Sequence, residues 1–283
     1  MKRISLLFSL LAMLVSITVN AQEQNPDATK IGDIYYILSP SDHTAAVTWG
    51  TKDWDEEDTW YNEGCYIGEV TIPSTVTYND ITYSVTTIDD GAFVESQLTS
   101  ITIPNSVTTI GRCPFYDCTA LTSLTIPSSV TTIKADAFEG CDNLTSITVE
   151  SRTPISLPDG DPFPTISYLV DRITLHVPAG TKQAYKAAQY WTRVNNIVED
   201  VGSTIVFADE LVKTICVSNW DVSGDGELGE KEAALVTDIG TVFRYNNTIS
   251  SFNEFQYFTG VTSLNENSYY GCTALTLSQY LKM

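Results

Sequence analysis

The sequence predicts a β-rich solenoid of tandem coils with short helices, and three observations predict it. First, Leu98-Thr-Ser-Ile101-Thr-Ile103-Pro104 returns as Leu121-Thr-Ser-Leu124-Thr-Ile126-Pro127 and again as Leu144-Thr-Ser-Ile147-Thr-Val149, each copy 23 residues after the last. Second, each copy alternates Leu, Ile or Val with Thr or Ser, the period-two pattern of a half-buried strand. Third, further positions keep the same period: Val107-Thr-Thr-Ile110 matches Val130-Thr-Thr-Ile133, and Phe115 and Cys118 match Phe138 and Cys141. A unit this short cannot bury its own Leu, Ile and Phe, whereas stacked units bury them as one column.

The elements follow in chain order. Residues 1–21 read as an export signal, with Lys2 and Arg3, an apolar run from Ile4 to Val19, and a cleavage point after Ala21. A membrane-spanning helix is the rival reading, but the apolar run is short and polar sequence follows at once. Gln22 rather than Cys comes next, which argues against lipid anchoring through an N-terminal cysteine. Residues 22–84 read as an N-terminal β cap. Ile34–Leu38 and Ala45–Trp49 are strand-like, and Asn79-Asp80 is a hairpin turn between Thr75–Tyr78 and Ile81–Tyr83. A cap is needed because an open coil end exposes core residues and unpaired strand edges.

Within the cap, Asp53 to Tyr61 interleaves acidic residues with Trp54 and Trp60. This stretch reads either as a cation- or sugar-binding loop or as a solvated insertion whose aromatics fold back. Residues 85–150 hold the repeats. Pro104 and Pro127 end their strands because proline lacks the ladder N–H. Thr102, Thr125 and Thr148 then form an outward, uncharged hydroxyl row. Residues 151–200 read as a closing cap, with a last strand at Ile173–Pro178 and a helix from Lys182 to about Tyr190 capped by Thr181. Residues 201–245 read as a helix–loop–helix segment. Residues 246–283 restart the repeat and then depart from it at Leu277, which suggests a longer parent chain.

These repeats resemble the BspA-like leucine-rich-repeat family, whose unit reads approximately LTSITIPxSVTxIGxxAFxxC. The resemblance is close over about residues 68–150 and resumes at Val261-Thr-Ser-Leu264, Tyr269, Cys272 and Leu275. The segment VPAGTKxAYK, Val177 to Lys186 here, resembles the end of a repeat block in that family. The resemblance implies a right-handed leucine-rich-repeat solenoid on a surface or secreted protein of Gram-negative anaerobes. Some members of that family are adhesins that bind host matrix proteins or other cells.

The strongest chemical motif runs from Asp221 to Glu232, DVSGDGELGEKE, and fits an EF-hand calcium loop with Ser at its third position. Asp221, Ser223 and Asp225 offer side-chain oxygens, Glu227 its backbone carbonyl, and Glu232 a bidentate carboxylate. Gly229 offers no side chain, so water must serve there. The flanks, Ala208–Val217 and Glu230–Val236, read as helices. The bland reading is an acidic glycine-rich turn. Because one loop stands alone, a structural Ca2+ is expected, and a dockerin-like role is disfavoured by the missing second loop.

The chain carries 15 Lys+Arg against 35 Asp+Glu, a formal net charge of −20. Such a surface repels phosphate backbones and anionic lipid, which disfavours nucleic acid and peripheral membrane as partners. Of six cysteines, Cys118, Cys141 and Cys272 share one repeat position, expected as a ladder of buried free thiols. Cys65, Cys113 and Cys216 fall outside it and remain free to pair. His43 and His176, the two histidines, lie near no nucleophile or metal motif, and no phosphate loop or serine elbow occurs. The expected function is therefore non-enzymatic: cell-surface binding of an extracellular or host protein, or alternatively of carbohydrate through Trp54 and Trp60.

Overall fold

The computed structural model describes residues 23–25, 27–54, 60–61, 66–163 and 170–275. The expected leader at 1–21, residues 55–59 of the acidic stretch, Cys65 and the departure from the repeat at 277–283 lie outside the described residues. The strands, in chain order, are β1 (Glu23–Gln24), β2 (Thr29–Ile31), β3 (Ile34–Ser39), β4 (Thr44–Thr48), β5 (Thr51–Trp54), β6 (Trp60–Tyr61), β7 (Ile67–Thr71), β8 (Thr75–Tyr78) and β9 (Ile81–Ile88). Then come β10 (Gln97–Thr102), β11 (Thr109–Ile110), β12 (Ser123–Ile126), β13 (Thr132–Ile133), β14 (Ser146–Val149), β15 (Thr174–Pro178) and β16 (Asn196–Asp200). Three short helices follow β15: α1 (Lys182–Ala187), α2 (Glu210–Trp220) and α3 (Glu230–Leu235). The chain divides into two compact units: Met1–Leu124 with Ser129–Leu144 and Ser156–Leu169, and Thr125–Ser128 with Thr145–Ile155 and Val170–Met283.

In the first unit a seven-stranded sheet runs β13-β11-β9-β4-β3-β2, with β8 paired to β9. The hairpin at Asn79-Asp80 has φ +49° and +62° at the two residues, the left-handed pair a two-residue turn between twisted strands requires. The VTTI segments pair in parallel and in register, Ile88 beside Ile110 and Ile110 beside Ile133. Parallel pairing at a fixed offset is what a coil repeating in one direction produces. The strand of the LTSITIP segment at β10 pairs in parallel with β7, Thr102 opposite Thr71. Thus a repeat strand already stands at Ile67–Thr71, inside the span expected as the N-terminal cap.

The interior of this unit is a column of aromatic rings. Phe93 and Phe115 stack at 5.6 Å and 2°, Phe115 and Phe138 at 6.2 Å and 6°, and Phe163 continues below Phe138 at 6.1 Å. Tyr66 closes the top edge-on to Phe93 at 4.7 Å. Leu98, Leu121 and Leu144 are all buried alongside.

Two residues after each plug the backbone is left-handed: Glu95, Asp117 and Gly140 have φ +57°, +54° and +74°. This turn aims the N–H of Glu95 at the Tyr116 carbonyl and that of Asp117 at the Glu139 carbonyl, 2.7 and 2.9 Å away, linking successive coils. The cysteines do more than fill space. Cys118 Sγ donates to the Phe93 carbonyl and Cys141 Sγ to the Phe115 carbonyl, each at 3.0 Å. Each plug carbonyl already accepts a backbone N–H, from Ser96 or Cys118, so each thiol adds a second bond that ties its coil to the preceding one.

In the second unit β14, β15 and β16 pair in parallel. Their inward residues, Ile147, Val149, Leu175, Val177 and Ile197, are buried. Tyr185 on α1 and Trp191 cover this core, with Tyr185 Oη donating to the Ser151 carbonyl at 2.9 Å and Trp191 Nε1 to the Ile155 carbonyl at 3.1 Å. Several local expectations fail here. β15 is not the last strand, since β16 adds to it from Thr174–Asn196 to Pro178–Asp200. Helix α1 ends at Ala187, and Thr181 stands at its N-cap position without a side-chain cap bond; its hydroxyl donates to the Pro178 carbonyl at 2.6 Å instead. Val261–Leu264 forms no strand.

A second aromatic core, Phe243, Phe252, Phe255 and Phe258 around Val212, Cys216 and Leu228, organises the rest of the unit. Cys272 is half-buried rather than buried, and its Sγ donates to the Phe243 carbonyl at 2.9 Å. Cys113, Cys118, Cys141, Cys216 and Cys272 are all free thiols, so neither Cys113 nor Cys216 is in a disulfide.

Candidate functional site

The loop 221–232 is built from both ends. Asp209 caps α2, accepting from the N–H groups of Leu211 and Val212, and also holds Ser250 by its N–H at 3.0 Å. Helix α2 therefore starts tied to the segment that follows the loop, and it ends at Asp221. Asp221 then turns its carboxylate into the loop. Oδ1 accepts from Ser223 Oγ at 3.0 Å and Gly224 N–H at 2.7 Å, and Oδ2 from Gly226 N–H at 2.9 Å. Partial burial pulls the Asp221 carboxyl upward, but the N–H groups of Gly226 and Gly224 and the Ser223 hydroxyl outweigh it, leaving its pKa below the usual value. Gly226 has φ +88°, a backbone conformation that a side chain disfavours, and it makes the sharp turn at the centre of the loop.

Glu232 closes the loop from α3. It is 1% exposed, and its two oxygens accept from Ser223 N–H at 3.0 Å and Gly229 N–H at 2.8 Å. Asp225 accepts from Glu227 N–H at 2.8 Å. The Glu227 side chain leaves the loop and pairs with Lys213 at 2.9 Å. Asp221, Ser223 and Glu232 thus meet through hydrogen bonds. Among the described residues, no group of three or more His, Cys, Asp or Glu side chains is placed to hold a metal ion.

The far side of the loop is a strand-like edge zipped onto the chain leaving β16. Ile205 N–H donates to the Leu228 carbonyl, Glu230 N–H to Ser203 and Lys231 N–H to Val201, all within 3.0 Å. Lys231 also pairs with Asp200. A Cβ on Gly229 would lie 2.1 Å from the Val201 carbonyl oxygen. The glycine that offers no ligand is therefore required by this close approach.

The other predicted surface residues are scattered across the two units. Thr102 is exposed in the first unit. Thr125 is exposed and Thr148 half-buried in the second, where Thr148 is in register with His176 and His176 with Val198, so the threonine row gives way to other residues. Trp54 and Trp60 are direct partners across the antiparallel β5–β6 ladder. Missing from the sequence-based expectation is an exposed cluster of Arg244, Tyr245 and Tyr270. The signal for it lay in the repeat alignment, which puts Tyr245 where Gly140 and Gly271 stand.

Residues 58–157 match the model of the BspA type leucine-rich repeat region, in six copies. That stretch is similar to a BspA-type leucine-rich repeat region. Its start at residue 58 agrees with the repeat pairing of β7 and precedes the expected boundary at 85. A leucine-rich repeat protein from Bacteroides capillosus is 23% identical, over 62% of this chain and 99% of that one, with a TM-score of 0.38. A leucine-rich cell surface protein from Faecalibacterium prausnitzii is 29% identical, over 54% of this chain, with a TM-score of 0.37. A leucine-rich repeat protein from Bacteroides ovatus is 26% identical, over 53% of this chain, with a TM-score of 0.35. The match spans 43% of the F. prausnitzii chain and 37% of the B. ovatus chain. No curated protein matches the sequence. Among the described residues no helix is long and apolar enough to cross a membrane.

Proposed function

We propose that this is an exported cell-surface protein of a Gram-negative bacterium that binds an extracellular or host protein through its repeat sheet, as an adhesin or receptor. The observation that carries this reading is the BspA-type repeat region itself. It spends its sequence on a stacked scaffold and leaves hydroxyl residues outward, Thr102 in one unit and Thr125 in the other. Such a repeated scaffold suits extended protein contact better than catalysis. The test is binding of the full chain to immobilised extracellular-matrix proteins, with Thr102→Lys and Thr125→Lys as controls. Saturable binding weakened by either lysine supports the reading, and binding indifferent to both removes the sheet face from it.

The loop 221–232 is read as a structural calcium site. Support comes from its all-oxygen donor set, from the inward turn of Asp221 and Glu232, and from the left-handed Gly226. Asp221, Ser223, Asp225 and Glu232 would hold the ion by side chains and Glu227 by its carbonyl, and the ion would brace α2 against α3. With three carboxylates and no partner loop, affinity on the order of 10⁻⁴–10⁻³ M is expected, as in extracellular modules. Calorimetry with Ca2+ against the Glu232→Ala variant decides it; absence of heat in the native chain ends the reading.

A second reading, carbohydrate binding, is favoured by the cross-strand pairing of Trp54 and Trp60. Glycan binding that survives Trp54→Ala and Trp60→Ala would exclude it.

A further inference from the structure

The second unit carries one exposed side-chain cluster that neither the repeat core nor the loop uses. Phe243 and Tyr269 are successive core plugs, stacked at 5.6 Å and 28°. The residues just after them face outward. Tyr245 is 64% exposed and Tyr270 55%, and their rings meet edge to face at 5.5 Å. The guanidinium of Arg244 lies over both rings, 4.8 Å from the Tyr245 centroid and 5.5 Å from that of Tyr270. Its Nη2 donates to Tyr245 Oη at 3.2 Å.

Two features separate this cluster from ordinary surface aromatics. The first is where the ring is placed. Tyr245 occupies the left-handed turn that follows each plug, at φ +63°, where Glu95, Asp117, Gly140 and Gly271 stand in other coils at +57°, +54°, +74° and +82°. That conformation disfavours a large side chain, so the aromatic ring rather than the turn sets this coil apart from the others. Tyr245 N–H still makes the inter-coil bond to the Tyr270 carbonyl at 2.7 Å, so the turn does the same structural work as the others while carrying a ring.

The second feature is charge. In a chain of net charge −20, Arg244 has no carboxylate partner among the described residues. A guanidinium beside aromatic rings keeps its remaining N–H donors available, and its fork matches a carboxylate in bidentate geometry.

We propose that Arg244, Tyr245 and Tyr270 form a binding site for a saccharide that bears a carboxylate, an activity beyond the protein binding proposed for the repeats. The apolar C–H face of the sugar ring packs on the exposed tyrosine rings, and the carboxylate pairs with Arg244. A sugar suits the cluster better than an acidic peptide, because the rings lie open on the surface rather than lining a recessed groove for side chains. Sialylated glycans and uronate polysaccharides share this chemistry.

The test is calorimetric titration of the full chain with 3′-sialyllactose and with a hyaluronan tetrasaccharide, against lactose and a tetraglutamate peptide. Saturable binding to either acidic saccharide at about tenfold or more over both controls is expected, and the responding saccharide identifies the source. Arg244→Gln should erase the preference over lactose. Tyr245→Gly should weaken binding about tenfold while the far-UV spectrum is unchanged, because glycine accepts the turn. Absence of saturable binding to both acidic saccharides overturns the proposal. So does equal binding of lactose or of the peptide, or binding indifferent to both substitutions.

Discussion

Replacing Phe115 with alanine probes the aromatic column where it is most continuous. Phe115 is fully buried and stacked on both sides, at 5.6 Å from Phe93 and 6.2 Å from Phe138. Truncating a buried Phe to Ala costs about 3–5 kcal/mol through lost transfer energy and the cavity left behind. Within that total two aromatic pairs are lost, each worth about 0.5–1.5 kcal/mol. The upper half of that range, about 4–5 kcal/mol, is expected, because rigid backbone ladders on both sides keep the coil from collapsing into the gap. Phe115→Leu keeps most of the apolar area and loses mainly the stacking, so about 1–2 kcal/mol is expected. Guanidinium denaturation read by circular dichroism gives the totals. Hydrogen exchange then locates the loss, which should spread to the amides of β9, β11 and β13, because neighbouring coils share the interior. A loss under about 1 kcal/mol for the alanine variant, or exchange confined to residues 113–118, would refute the shared column.

Three further outcomes follow from the same geometry. If loop 221–232 takes calcium at about 10⁻⁴–10⁻³ M, then 10 mM Ca2+ stabilises the folded chain by about 1.4–2.7 kcal/mol. Thermal melting should then rise by a few degrees, and Glu232→Ala should remove the rise. Burial pushes the thiol of Cys141 up to about 12 and that of Cys118 higher still, so neither should react with a thiol reagent at pH 8 unless the protein is unfolded. Asp209→Ala should cost about 0.5–2 kcal/mol as a lost helix cap, while Asp209→Asn should cost less. The Ser250 N–H, with the N–H groups of Val212 and Leu211, holds the Asp209 carboxyl below its ordinary pKa. Its contribution is therefore present above the ordinary carboxylate range and is lost as pH falls through the depressed folded value. The Asp209→Ala penalty should shrink correspondingly in acid.

What could be read in advance, and what could not, divides along physical lines. The coils were legible because their signals are periodic: Leu98, Leu121 and Leu144, then Phe115 and Phe138, recur at one interval and all reach the interior. The Asn79-Asp80 hairpin was legible because few dipeptides tolerate two left-handed residues in succession. The start of the repeat was harder to place, because Gly68-Glu69 replaces the usual Thr-Ser in β7; the resemblance begins near residue 68, and the pairing with β10 shows the strand. Thr181 looked like a helix cap because the sequence does not say whether a hydroxyl accepts or donates; here the Pro178 carbonyl takes it. The thiol bonds to the plug carbonyls were illegible for the same reason, since a cysteine in a buried pattern reads as a small apolar residue. Val261–Leu264 keeps the repeat residues but has no paired strand beside it, and periodic sequence without a neighbour does not make a ladder.

Excising one whole coil tests the shared interior more directly than any point substitution. Deleting Leu121–Asn143 removes one full period and joins Ala120 to Leu144, so every later Leu, Phe and Cys re-enters the column in register. That variant should fold cooperatively with a strand-rich spectrum, whereas deleting only Leu121–Thr132, about half a period, should abolish the cooperative transition. If the two deletions behave alike, the coils do not share one interior.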